Sequence, residues 1–181
     1  YVPKNVVIKE PIEMILAQKN SHKAYVKHIL VVAGENSEFS FLQRVLSTEN
    51  SDKLVSGNII AEVIGKPGAK VKYAALDELG KNVTAYLNYR GYLMKDATVD
   101  WSIGMMSSGN VLGDFDCDLV GEGAHAEIKA VAVSSENQEQ IIDTRVTNKA
   151  PHTTGHILQH GVILDASRLT FNGIGHIFKG A

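Results

Sequence analysis

Three stretches of this chain follow one plan, and a repeat of that kind restricts the fold more than any other feature. Ala61–Leu76 (AEVIGKPGAKVKYAAL), Gly91–Gly104 (GYLMKDATVDWSIG) and Asp118–Val131 (DLVGEGAHAEIKAV) each carry an apolar pair into a three- or four-residue corner, then an Ala, then alternating apolar residues. The Ala is Ala69, Ala97 and Ala124 in turn. Two looser copies follow: TRVTNKAPHTTGHIL enters its corner after Val146, and VILDASRLTFNG after Leu164. Between the last apolar residues before each corner, Ile64 to Met94 is 30 residues, Met94 to Val120 is 26 and Val120 to Val146 is 26. Units of this size cannot bury an apolar face alone and do so by stacking on their neighbours. The repeat predicts an all-β fold with little helix, a parallel β-solenoid over residues 1–181 as a single domain. The last interval, Val146 to Leu164, is 18 residues and signals either a shorter coil or a change of corner.

Turn chemistry agrees with that reading. Asn-Lys, Lys-Asp and Asn-Gly pairs recur between runs rich in Val, Ile, Tyr and Phe, which suit a half-buried pleated surface. A β-sandwich also shows short strands at regular spacing. The solenoid is preferred because the corner and its following Ala recur in one order, without the palindromic look of successive hairpins. Ahead of the repeat, Tyr1–Pro11 reads as an edge strand confined by Pro3 and Pro11, and Ile12–Gln18 as one helical turn broken at Asn20-Ser21. Ala24–Val32 and Glu38–Val45 read as strands joined by a hairpin or corner at Gly34-Glu35-Asn36.

Several constellations invite chemistry. Asp114, Asp116 and Asp118 lack the Gly and Glu that a calcium loop needs at its sixth and twelfth positions, which are Leu119 and His125 here. On a strand they form an outward acidic row over inward Phe115, Cys117 and Leu119. Gly121-x-Gly123-x-x-Ala126 has the outline of a dinucleotide fingerprint, but AEIKAVAVS follows it, an alternating run where a helix is required. His152, His156 and His160 would line one face of a helix, but Pro151, Gly155 and Gly161 argue against one; extended, they still share a face, with residues four apart separated by about 13 Å, too far for one ion. His176 is likewise read as a solvent-facing or satisfied side chain. Cys117 cannot form an internal disulfide, being the single cysteine, and parity turns it inward as a small hydrophobe. An inward thiolate in a polar lumen would be the one candidate to relay sulfur or hold iron. No catalytic residue and no metal ligand is assigned.

Composition narrows the partners. With 18 Lys+Arg against 20 Asp+Glu, the net charge of −2 gives no general attraction to nucleic acid or an anionic membrane. No apolar run approaches a membrane span, and one cysteine suits a reducing compartment. The chain begins without Met and ends within a Gly-rich apolar pattern, which suggests a fragment of a longer polypeptide.

The residues DFDCDLVGEGAHAEIKAVAVSSENQEQIIDTRVTNKAPHTTGHILQHGVILDASRLTFNGIGHIFKGA closely resemble the core of the SufB/SufD family, and YVPKNVVIKEPI resembles the entry into that core. IDTRVTN, HTTGHILQHGVI and LTFNGIGHI are closer to the SufD branch than to the SufB branch. The resemblance covers nearly the whole chain, is specific in the last seventy residues and is diffuse from Ser47 to Gly104. It implies a right-handed parallel β-helix within the cytoplasmic SufBCD complex, a non-enzymatic component of iron–sulfur cluster assembly. The implied partners are a SufB-like scaffold, or a second copy, and a SufC-like ATPase, with the cluster handled transiently by the full complex and no cofactor held by this fragment alone. The family's flanking helical regions, which supply most of the SufC contact and an interface histidine, have no counterpart here, so none of their residues is transferred. Two other functions stay open on the residues alone: a carbohydrate-active β-helix enzyme using the Asp row, and a structural solenoid that presents strand edges to a partner. Self-association is expected through late strands between about Thr154 and Phe178, as for an uncapped solenoid.

Overall fold

The structure, a computed structural model, describes residues 1–19, 23–48 and 52–181. Its twelve strands are β1 (Ile12–Gln18), β2 (Tyr25–Ala33), β3 (Glu38–Ser47), β4 (Val55–Gly65), β5 (Lys70–Glu78), β6 (Val83–Leu93), β7 (Thr98–Met105), β8 (Asn110–Leu119), β9 (His125–Ser134), β10 (Glu139–Asn148), β11 (Thr154–Ile163) and β12 (Arg168–Ile177). Odd strands form one six-stranded sheet and even strands the other, each in sequence order. Every pairing is parallel, so each coil lays one strand on each sheet and then steps up. This is the parallel β-solenoid that the repeat predicts, with about six coils. The register fixes their length: Glu38 to Lys70 is 32 residues, Thr98 to His125 is 27 and Thr84 to Asn110 is 26.

The core lies between the two sheets. Alternation along each strand sends one set of side chains inward, and Phe41, Tyr73 and Trp101 fall in register on β3, β5 and β7. Their rings meet at a tilt, 5.1 Å and 4.5 Å between centroids. Tyr89 lies parallel to Trp101 at 6.0 Å and against Phe115 at 5.1 Å, closing an aromatic column that crosses the lumen. Buried polar atoms on this column are mostly matched: the Tyr73 hydroxyl donates to Gln43 Oε1 at 2.5 Å, and Gln43 Nε2 donates to the Tyr89 oxygen at 3.0 Å.

The repeated Ala has a structural cause. Ala69, Ala97 and Ala124 are fully buried, and their N–H groups close tight turns onto Lys66, Met94 and Gly121. One residue earlier in each turn the backbone is left-handed: Asn36, Gly68, Asp96, Gly123 and His152 have φ between 52° and 72°. The N–H of Asn36, Gly68, Asp96 and Gly123 each donates to a carbonyl one coil on, at Pro67, Lys95, Glu122 and Pro151. Asn, Asp, His and Gly tolerate this conformation best, so the corner composition is a backbone requirement. Both glycines of the nucleotide-like outline lie in one such corner, Gly123 as its left-handed residue, and β9 rather than a helix follows.

Three expectations change and two open alternatives are settled. Ile12–Gln18 is strand β1 in register with β3, because its Ile12, Met14 and Leu16 pack on the core and this outweighs local helix propensity. Tyr1–Pro11 is no strand, making only isolated bridges at Val2 and Val7. The corner expected after Val146 falls two residues later, after Asn148. Leu164 belongs to the opposite corner, since its N–H bonds Ser134 O and the N–H of Ala166 bonds Glu136 O. The 18-residue interval is therefore a change of corner, not a short coil. Gly34-Glu35-Asn36 is a corner and not a hairpin, since β2 and β3 lie in different sheets. The Asn20-Ser21 break lies outside the described residues.

Candidate functional site

The Asp row lies where strand parity puts it, on the outer face of β8. Asp114, Asp116 and Asp118 face outward, while Phe115, Cys117 and Leu119 are at most 1% exposed. Register sets Arg90 of β6 beside Asp116, and its guanidinium grips both Asp116 and Asp114, the latter at 2.8 Å. The Tyr86 hydroxyl donates to Asp114 at 2.6 Å, and Lys149 Nζ pairs with Asp118 at 2.9 Å. Partial burial raises the Asp116 carboxyl above the usual carboxylate range, with Arg90 pulling the other way. Tyr86, Arg90, Asp114 and Asp116, with Leu112, Asp143 and Arg145, line a shallow depression of about 290 Å³. Hydrolysis of a glycosidic bond needs two carboxyl groups in different protonation states on either side of the bond. Here two carboxylates share one guanidinium on a single sheet face, which is the arrangement of a surface ion-pair network.

The histidines do not converge. His152 sits in a corner with left-handed backbone, while His156 and His160 lie on the outer face of β11. The His156 ring meets His125 edge-on at 5.8 Å, and His176 lies against Phe178 at 4.9 Å. Among the described residues no three His, Cys, Asp or Glu side chains gather into a metal-binding group.

Cys117 points into the lumen. A Cβ placed on Gly91, its register neighbour, would lie 2.5 Å from the sulfur, so the thiol fills the space that Gly91 leaves open. Burial pushes the thiol pKa up, and the Asp116 and Asp118 charges push it the same way. The group is a neutral thiol in this state, and a thiolate is the form that would bind metal or attack sulfur. The indole N–H of Trp101, close to the same point, has no hydrogen-bond partner.

One interior group escaped the reading of the residues. Asp77 on β5 is 2% exposed and takes a hydrogen bond from the Ser107 hydroxyl, and among the described residues no cation acts on it. Its signal was parity: Asp77 follows Tyr73 and Ala75 on the inward face. The sequence DELG looks like an ordinary solvated acid pair and conceals it.

The fold and its outer and inner faces thus define a parallel β-solenoid with an ion-paired acidic row on its outer face. The family model described as "SUF system FeS cluster assembly, SufBD core domain" matches residues 15–181. The chain belongs to the SufB/SufD family of iron–sulfur cluster assembly proteins. It is 35% identical over its full length to the iron-sulfur cluster assembly protein SufD of Bacillus subtilis strain 168, covering 41% of that protein. It is 23% identical over its full length to an iron-sulfur cluster assembly SufBD family protein of Staphylococcus epidermidis, covering 39% of that protein. The chain therefore spans about two fifths of the length of these relatives. No helix among the described residues is long and apolar enough to cross a membrane.

Proposed function

We propose that this chain is the β-solenoid core of a SufD-like subunit, a non-enzymatic cytoplasmic component that pairs with a SufB-like scaffold or with itself and works with a SufC-like ATPase. The observation that carries this reading is the full-length 35% identity to a SufD protein, together with a family match over residues 15–181. The ion-paired Asp row supports a non-catalytic outer face, and no observation favours the carbohydrate-active alternative over it. ATP would be supplied by the partner, as the glycines that resemble a nucleotide loop are spent on a corner. Co-purification of the full-length protein with its SufB-like and SufC-like partners tests the proposal. A stable complex is expected, and three proteins that elute separately would overturn it.

For self-pairing we propose the last coil, β11 and β12. Ile163, Ile177 and Phe178 are 55%, 70% and 45% exposed there, an apolar rim suited to burial against further β-structure. Light scattering should show a dimer of the full-length protein that is lost on Ile177→Asp; a monomer at every concentration contradicts the assignment. For Cys117 we propose a packing role. Cys117→Ser should leave cluster assembly by the complex unchanged, whereas a loss of cluster yield with the complex intact would restore the role of sulfur or iron ligand.

A further inference from the structure

We infer that Asp77 and Ser107 form a protonation-controlled latch that holds the corner after β7 against the corner after β5, and that the latch loosens when Asp77 loses its proton. The geometry is compact. The Ser107 hydroxyl donates to Asp77 Oδ2 while its oxygen accepts the Leu79 N–H at 2.9 Å. The N–H of Met106 bonds Asp77 O at 3.1 Å and that of Ser108 bonds Leu79 O at 2.8 Å. One side chain thus joins a buried carboxyl to the backbone of both corners. Beyond Met105 the corner Met106–Gly109 is held by few other groups, chiefly Gln138 Nε2 on Ser107 O and Gly109 O.

Among the described residues no cation acts on Asp77. In register it lies between Val45 of β3 and Met105 of β7. Arg44 on β3 faces outward and is paired with Glu78 at 2.7 Å. Glu78 repels the Asp77 charge, and Tyr25 on β2 and Tyr89 on β6 are the titratable groups that feel it across the lumen. A buried carboxylate without a counter-ion is costly, and the local remedies are to keep its proton or to admit water. Burial raises Asp77 from 3.8 to about 7, outweighing the hydrogen bonds from Ser107, which favour the charged form. A carboxyl whose folded pKa lies above its open-state value favours the closed form when protonated. That advantage falls as pH rises from about 4 to about 7 and is level above it.

Amide hydrogen exchange at Leu79 and Ser108, read against Leu87 and Ile128 as reference amides, tests the latch. After correction for intrinsic exchange, the opening equilibrium at Leu79 and Ser108 is expected to rise roughly tenfold per pH unit between about 5 and about 7, then to level off. Asp77→Asn should remove that slope, and Ser107→Ala should raise exchange at every pH while keeping it. A flat wild-type profile, or the same slope in Asp77→Asn, overturns the proposal. Should Asp77→Asn fail to fold, the carboxyl-carbon signal of Asp77 in the wild-type chain decides. Titration near 7 supports the latch, and titration near 4 overturns it.

Discussion

Gly121→Ala is expected to destabilise the chain by about 3 kcal/mol or more, the upper end of losses from overpacking. A methyl group there would lie 2.0 Å from Lys95 N, 2.3 Å from Met94 C and 2.5 Å from Lys95 Cα. All three are backbone atoms of the corner one coil below, so no side chain can swing away. That corner cannot retreat either, because β6 with β8 on one side and β7 with β9 on the other fix the coil spacing through parallel ladders. Gly123, two residues on, is constrained differently, by a φ of +72°. Gly175→Ala is the matched control: nothing lies within 4 Å of its Cβ position, and the change should stay within about 0.5 kcal/mol. Chemical denaturation of the two variants measures the difference. Equal midpoints would show that the corners do not stack as described.

Trp101→Ala should cost about 3 to 5 kcal/mol, the range for deleting a large buried aromatic side chain. Trp101 is 2% exposed and joins the two halves of the aromatic column, meeting Tyr73 from its own sheet and Tyr89 from the other. Its removal opens a hole between Tyr73 and Tyr89, which the Gln43 hydrogen bonds hold in place and keep from closing it. Trp101→Phe tests the cause. Phenylalanine keeps most of the stacking and removes a buried N–H that has no partner, a group that is itself unfavourable. The loss should therefore be less than half of that for alanine. A Phe variant as unstable as the Ala variant would mean that the indole nitrogen has a partner that matters.

The architecture is legible in the residues because the signals for it are local and repeated. The buried Ala69, Ala97 and Ala124 recur with their corners, and the parity of Phe115, Cys117 and Leu119 against the Asp row follows from strand geometry alone. What was not legible depends on contacts between coils. Ile12–Gln18 looks helical in isolation and becomes a strand only because β3 offers it an edge. Leu164 turns the chain as Val120 does, and only its hydrogen bond to Ser134 shows that it occupies the other corner. Asp116 is readable as an outward acid, but its clamp, Arg90, lies 26 residues earlier and arrives by register. Asp77 was missed for the same reason: nothing beside it in sequence marks a carboxyl enclosed by two other coils. His152 shows the reverse case, a residue that attracts attention by its chemistry and occupies its place because of its backbone angle.

The proposed role in iron–sulfur cluster assembly is tested most directly by the cluster content of client enzymes. In cells that rely on this assembly system alone, depletion of the full-length protein should lower the activity of a cluster-dependent enzyme such as a dehydratase while the amount of its polypeptide is unchanged. Restoring the protein should restore activity. Full cluster occupancy and activity in depleted cells would contradict the account.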